Sequence, residues 1–293
     1  DVTTTITDGD EDLQATYGFQ IDLNTSFTGE DSLDVSLDAG NGAGSLGEFD
    51  TNSSSEALTV DGVSYTFPLG DKTTVFVGDN TDGSSLFTTA CAYGGPSNTL
   101  DDCGAVQAGI TGGGVSIGAA YDFGNGFTTA AGAQFTETGI ATKEADDSYA
   151  LNLAYTADNY GVSVTYANVE DGTDNDTYTA LNGYYSFDSG ISISAGYEIG
   201  DLDAAAATED ETESYFLGIN GEVGPGELGA AIGTYGTMTE ASGVMPERMM
   251  YEAYYSYAVN DGMTITPLIY TVEGSSATDL DETGIMVKTS FSF

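Results

Sequence analysis

The side chains of this sequence that could do chemistry are almost all carboxylates: 47 Asp and Glu stand against 4 Lys and Arg, cysteine occurs twice and histidine not at all. That inventory removes whole classes of function. Without histidine there is no Ser-His-Asp triad and no His-ligated metal, so an enzyme is not expected. A formal charge of -43 excludes nucleic acid, whose phosphates must be neutralised by Lys and Arg. Dense acid groups such as Asp8-Gly9-Asp10-Glu11-Asp12 and Asp171-Gly172-Thr173-Asp174-Asn175-Asp176 offer the donor type that Ca or Mg takes. Neither follows the twelve-residue calcium-loop spacing, so solvated loops are the plain expectation and no resident cofactor is assigned. Cys91 and Cys103 sit in a stretch rich in Gly, Ser, Thr and Asp. In an oxidising compartment they pair and close that loop; free thiols are the alternative.

Carboxylates need elements to aim them, and the pattern around them has a period of two. Between 13 and 27 the odd positions are Leu13, Ala15, Tyr17, Phe19, Ile21, Leu23, Thr25 and Phe27, while the even ones include Gln14, Gln20, Asp22 and Asn24. Leu33, Val35, Leu37 and Ala39 then alternate with Ser32, Asp34, Ser36 and Asp38. Long strands with one apolar and one polar face follow. The alternation recurs in hairpins around the turns 70–71, 124–126, 158–159, 188–190, 224–226 and 260–262, and it ends in a strand closing on Phe291 and Phe293. No run of 18 apolar residues exists, so no transmembrane helix is expected, and the chain reads as all-β.

Connections fall into two length classes. The turns just named are short and rich in Gly, Asn and Asp. Between hairpins lie longer polar segments, at 41–56, 80–112, 137–147, 168–176, 200–213, 237–248 and 273–281. Strict alternation of the two is the pattern of bacterial outer-membrane barrels, with short turns in the periplasm and long loops outside. From residue 13 on the strands number fifteen, and an even count requires one more, supplied by 1–7. The expectation is one transmembrane antiparallel β-barrel of 16 strands over 1–293, wide enough for a water-filled lumen.

Such a barrel turns its oily face outward. Tyr149, Tyr155, Tyr160, Tyr166, Tyr197, Tyr251, Tyr257 and Phe291 end apolar faces where headgroup-level girdles belong. Parity then sends Asp22, Asp34, Asp38, Asp122, Glu198, Glu222 and Glu252 into the lumen, with Arg248 and Lys288 on the same polar face to pair with wall carboxylates. The longest connection, 80–112, is the third outer loop; if it folds inward, as the corresponding loop of wide outer-membrane barrels does, Asp79, Asp82, Asp101 and Asp102 are negative groups near the constriction, and covering the mouth or a trimer contact is the alternative. With almost no base opposite, the lumen should admit cations and repel anions. A plainer use of so many acids, a solvated and salt-tolerant surface, is compatible with this.

Some phrases are familiar. Asn24-Thr25-Ser26-Phe27-Thr28-Gly29-Glu30-Asp31 before Leu33, Leu58-Thr59-Val60-Asp61 leading to Tyr65-Thr66-Phe67-Pro68-Leu69-Gly70-Asp71, and Gly284-Ile285-Met286-Val287-Lys288-Thr289-Ser290-Phe291 resemble the cyanobacterial outer-membrane porins. Those proteins are also described as iron-uptake porins and are related to carbohydrate-selective porins. The resemblance spans the chain and implies a homotrimer in the outer membrane, passive diffusion of small ions, and entry of inorganic iron. It also implies an upstream S-layer-homology domain and helical segment, both missing from this sequence. Outer-membrane lipid, and lipopolysaccharide bridged by divalent ions, are the expected surroundings. Two alternatives stay open: a carbohydrate-selective porin, which would want inward aromatics such as Phe76, Tyr235 and Tyr254, and a structural surface β-protein that conducts nothing.

Overall fold

The computed structural model describes residues 2–9, 12–41, 56–140, 142, 145–171, 174–203, 211–239, 248–274 and 280–293. In chain order the strands are β1 (Val2–Gly9), β2 (Asp12–Thr25), β3 (Ser32–Gly40), β4 (Thr59–Pro68), β5 (Thr73–Asp79) and β6 (Val115–Gly124). Next come β7 (Phe127–Phe135), β8 (Asp147–Thr156), β9 (Tyr160–Asp171), β10 (Asp174–Ser186), β11 (Ile191–Asp201) and β12 (Glu211–Val223). The last are β13 (Gly226–Thr234), β14 (Met238–Thr239), β15 (Met249–Asn260), β16 (Met263–Val272) and β17 (Glu282–Phe291).

All seventeen lie in one sheet. The two-residue β14 continues the line of β13 along β12. The other sixteen are the barrel strands expected from the sequence. β1 bonds to β2 on one side and to β17 on the other, so the ring closes antiparallel and, among the described residues, each barrel strand is paired on both sides.

Orientation follows parity. Ile21 and Leu23 stand 42% and 53% exposed on the outside of the ring, and Leu151 reaches 61%. A continuous apolar surface of this extent would aggregate in water and is solvated by hydrocarbon in a bilayer. Aromatics gather at both of its margins. Near the short turns, Tyr121 meets Phe123 at 4.9 Å, Phe127 meets Tyr155 at 4.6 Å and Tyr185 meets Phe187 at 4.8 Å. Toward the loop end stand Tyr149, Tyr166, Tyr197 and Tyr251, each exposed.

The turn from β2 to β3 is built on one carboxylate. Asp31 Oδ1 accepts from the Ser26 and Thr28 hydroxyls and from the Phe27 and Thr28 amides, and Oδ2 accepts from the Tyr65 hydroxyl at 2.6 Å. The Ser26 and Tyr65 hydroxyls and the Thr28 amide hold the Asp31 carboxyl well below the usual range. At the β6–β7 turn Asn125 takes φ 56° between Gly124 and Gly126, both also at positive φ, as a tight hairpin requires.

One connection differs from expectation. Within 168–176, expected as a loop, β9 and β10 run on and stay paired up to Asp171 and Asp174. The expected loops 41–56, 137–147, 200–213, 237–248 and 273–281 lie wholly or partly outside the described residues, as do the acid groups at 8–12 and 171–176.

Candidate functional site

Residues 80–114 leave β5, run inside the ring and return to β6. Having no ladder of its own, this segment must find partners for its peptide groups elsewhere, and the inward parity of the wall provides them. Outbound, Gly83 N donates to Gln134 Oε1 (3.2 Å), Thr88 N to Asn152 Oδ1 (3.1 Å), Ala90 N to Ser163 Oγ (2.9 Å) and Ala92 N to Ser194 Oγ (2.8 Å). The Tyr93 and Ser97 hydroxyls then both donate to the Glu252 carboxylate. Inbound, the Asn182 amide donates to Cys103 O (2.7 Å) and the Ser214 hydroxyl to Gly104 O (2.9 Å). Gln107 N and Ala108 N donate to Glu198 at 3.1 and 2.8 Å, and the Gln134 amide donates to Gly113 O at 2.9 Å. The loop thus crosses the inner face from β7 to β15 and comes back over β10–β12.

Close approach depends on two wall glycines. A Cβ at Gly132 would collide with Gly83 O, and one at Gly196 with Cys103 O. Apolar groups seal what hydrogen bonds align. Tyr93, Leu100 and Cys103 pack with Phe216, Ala231, Met250 and Tyr254, the Tyr93 ring lying 5.3 Å from Phe216 and 5.6 Å from Tyr254. Ala105, Ala108 and Ile110 pack on Ala150, Ala167, Tyr178 and Ala180. Cys91 and Cys103 are disulfide-bonded, joining the outbound and inbound legs. Burial, together with the Glu252 charge, pushes the Tyr93 phenol well above its ordinary value, so it stays a donor.

Glu198 and Glu252 do face inward, as parity requires, but they are 0% and 4% exposed. They are fastenings for the loop and do not line a wet channel. Asp38, 7% exposed, accepts from the Thr59 hydroxyl at 2.8 Å. Asp22 and Asp34 are different. Asp22 is exposed and accepts from Gln20 and Ser36, both at 2.7 Å. Half-buried Asp34 accepts from Asn24 at 2.5 Å and Ser32 at 2.8 Å. Together they form a hydrogen-bonded carboxylate ladder on β2 and β3, open to solvent at Asp22.

Asp122 has the inward parity but sits at the short-turn rim, capping Gly124 N at 2.7 Å. Glu222 is exposed and stands directly opposite Glu227 in register. Glu227 was missed in the sequence, although the same parity rule reaches it; it accepts from the Tyr254 hydroxyl at 2.6 Å and from Asn220 at 3.2 Å. Gln134, Asn152, Ser163, Ser194, Asn182 and Ser214 were missed as well, because nothing in a strand pattern says which inward polar group will meet a loop.

On the loop, Asp82 and Asp101 are exposed and Asp102 is half-buried. The protein crowding Asp82 raises its carboxyl, even though part of it reaches solvent. Asp79 does not join them: it pairs with Val63 and shares the outward parity of Val75 and Val77. Lys288 lies on the inward face, half-buried, in register with Thr3 and Thr266. Arg248 departs from the expected pairing with wall carboxylates: its Nε donates to the Glu273 carbonyl at 2.8 Å and its guanidinium lies 4.5 Å over Tyr235.

Residues 3–274 match a family model described as Gram-negative porin. Among solved structures the chain is similar to Pseudomonas putida OprB in its high-pH form, with a TM-score of 0.72 and 11% identity, over 100% of this chain and 93% of that one. It is also similar to Vibrio cholerae OmpT, an outer membrane protein in trimer form, with a TM-score of 0.66 and 13% identity over 99% and 97%. A mutant of Rh. blastica porin gives a TM-score of 0.64 and 12% identity over 100% and 98%. A comparison with curated proteins found no match.

Proposed function

The chain belongs to the Gram-negative porin family, and from that premise we propose that it is a cation-selective diffusion channel whose preference is set on the β2–β3 face of the lumen. The observation that carries this is the ladder of Asp22 and Asp34 toward the lumen, in a chain with a formal charge of -43. A carboxylate in water attracts a monovalent cation by about 1 kcal/mol at 4 Å, and a path between several adds such contributions. The inward loop narrows the lumen from the opposite side and contributes Asp82, Asp101 and Asp102. Small ions and small polar solutes are the cargo; inorganic iron among the cations, and a cyanobacterial source, rest on the phrases at 24–31 and 65–71.

OmpT's trimer form supports a homotrimer here. The outward apolar face supports a seat in outer-membrane lipid, with divalent ions joining acidic loops to lipopolysaccharide. Purified protein in a planar bilayer under a salt gradient tests the channel reading. A cation-selective reversal potential is expected, shrinking as the screening length falls from about 10 Å at 0.1 M to about 3 Å at 1 M. An anion-selective sign overturns it, and no conductance at all would favour a structural surface protein. A carbohydrate channel is less well supported: Phe76 and Tyr254 are 0% and 2% exposed, and Tyr235 lies under Arg248, so none offers a free face to a sugar.

A further inference from the structure

The short-turn end of the lumen holds two acids that face each other without a base between them. Glu222 on β12 and Glu227 on β13 are partners in register on the inward face, either side of the 224–226 turn. Like charges directly opposite on a sheet destabilise it, so the pair calls for a counter-charge. Among the described residues no base supplies one. Lys72 donates to the Phe123 carbonyl and Arg248 to the Glu273 carbonyl. Lys288 lies three strands further along the same row, through Ser256 and Thr266, roughly 14 Å away at ordinary strand spacing. A second observation comes from Asn220, two residues before Glu222 on the same face and 8% exposed. Its Nδ2 donates to Glu227 Oε2 at 3.2 Å, while Oδ1 of the same amide is buried and receives no donor. The Tyr254 hydroxyl donates to Glu227 Oε1 at 2.6 Å. Acceptors outnumber donors here, and the surplus includes a buried one.

We infer that Asn220, Glu222 and Glu227 form a binding site for one hard divalent cation, with Ca2+ as the fitting ion. The two carboxylates supply the charge and Asn220 Oδ1 a neutral oxygen. Water completes the roughly six to eight oxygens that calcium takes, at a rim open to solvent through Glu222. Magnesium fits less well, because it keeps much of its water and demands near-ideal octahedral geometry. Tyr254 is a positioning residue: its hydroxyl holds one Glu227 oxygen and the Asn220 amide holds the other. A bound ion offsets both charges and ties β12 to β13 beside their turn. The site deepens the channel reading and rests on it for a wet lumen at this end, but it requires no particular ion selectivity.

The test is equilibrium dialysis of the detergent-solubilised barrel against radioactive Ca2+. Wild type should bind one more ion per barrel than the double variant Glu222→Gln with Glu227→Gln, whatever the acidic outer loops hold, since those loops are the same in both. Should the double variant fold poorly, Glu222→Gln alone keeps the test, because that side chain is exposed. It should weaken the one ion by roughly tenfold or more, as loss of a charged ligand does. Asp261→Asn, which removes an exposed acid from the neighbouring turn, should leave count and affinity as they were. Tb3+ as a second probe should give tyrosine-sensitised emission that Ca2+ displaces and that falls in Glu222→Gln. Equal Ca2+ counts in wild type and the double variant would overturn the site. So would an equal loss from Asp261→Asn, because diffuse charge and not the three ligands would then hold the ion. An anion-selective reversal potential would overturn the channel's cation preference and leave this count standing, so the two readings fail separately.

Discussion

The inner wall has two halves that read alike in sequence and behave oppositely. On β11 and β15 the inward carboxylates Glu198 and Glu252 are covered by the 80–114 loop and filled with its hydrogen bonds. On β2 and β3 the inward carboxylates Asp22 and Asp34 accept from Gln20 and Ser36 and from Asn24 and Ser32, all on those two strands, with Asp22 exposed and Asp34 half-buried. Same residue class, same parity, different neighbour. Charge is a selectivity element only where it is wet; under a loop it is a fastening, because a buried carboxylate is stable only when its oxygens are occupied by donors.

The sharpest way to break this contrast is Glu252→Leu. It leaves the Tyr93 and Ser97 hydroxyls buried without an acceptor, at about 1–3 kcal/mol for each. Denaturant unfolding should show the loss, and single-channel traces should become noisy as the loop loosens, while the cation-selective sign persists. A selectivity change as large as the stability change would mean that Glu252 is wet after all. The next effect comes from the disulfide. Replacing Cys91 and Cys103 by serine frees a loop whose ends are 12 residues apart, which for a loop near that length is worth about 3 kcal/mol. The hydrogen bonds to Gln134, Asn152 and Ser163 remain, so the expected result is flicker and faster proteolysis within 91–103, with the barrel intact.

How much of this was legible in the sequence depends on what each feature answers to. Strands were legible because lipid outside and water inside impose an alternation on every one of them, and the short turns follow from glycine and asparagine chemistry. The pairing at 168–176 was not, since above the membrane a hairpin has no apolar face and its backbone bonds leave no period. Asp79 follows the strand's alternation onto the outward side, a point parity alone would have settled. The division of inward acids into wet and covered was hidden, because it depends on the path of a loop without a repeat. That path is written in inward Ser, Asn and Gln on β7–β12, which any water-filled barrel could also carry.

On the wet half the test is Asp22→Asn with Asp34→Asn. With each carboxylate contributing about 1 kcal/mol to a nearby cation in water, the cation preference should fall several-fold in dilute salt and converge with wild type near 1 M. Conductance noise and stability should stay as they were. Glu198→Gln is the matching control on the covered half, where the amide keeps a carbonyl to accept from Gln107 N or Ala108 N: its selectivity should match wild type.

The smallest effect refines the contrast, because one carboxylate at the short-turn end of the wet half behaves like the covered ones. Asp31 is 8% exposed, with both oxygens occupied by Ser26, Phe27, Thr28 and Tyr65. Its folded pKa is depressed, so its contribution to stability is fully present above the ordinary carboxylate value of about 3.9 and is lost as pH falls toward the depressed one. Unfolding followed from pH 7 into strong acid should therefore show a wild-type decline that begins below about pH 4 and is missing from Asp31→Asn. The amide variant should start lower and run flatter, with unaltered ion selectivity throughout. If instead Asp31→Asn shifted the reversal potential as far as the Asp22 and Asp34 pair does, occupancy of a carboxylate by donors would not be what separates fastenings from selectivity elements.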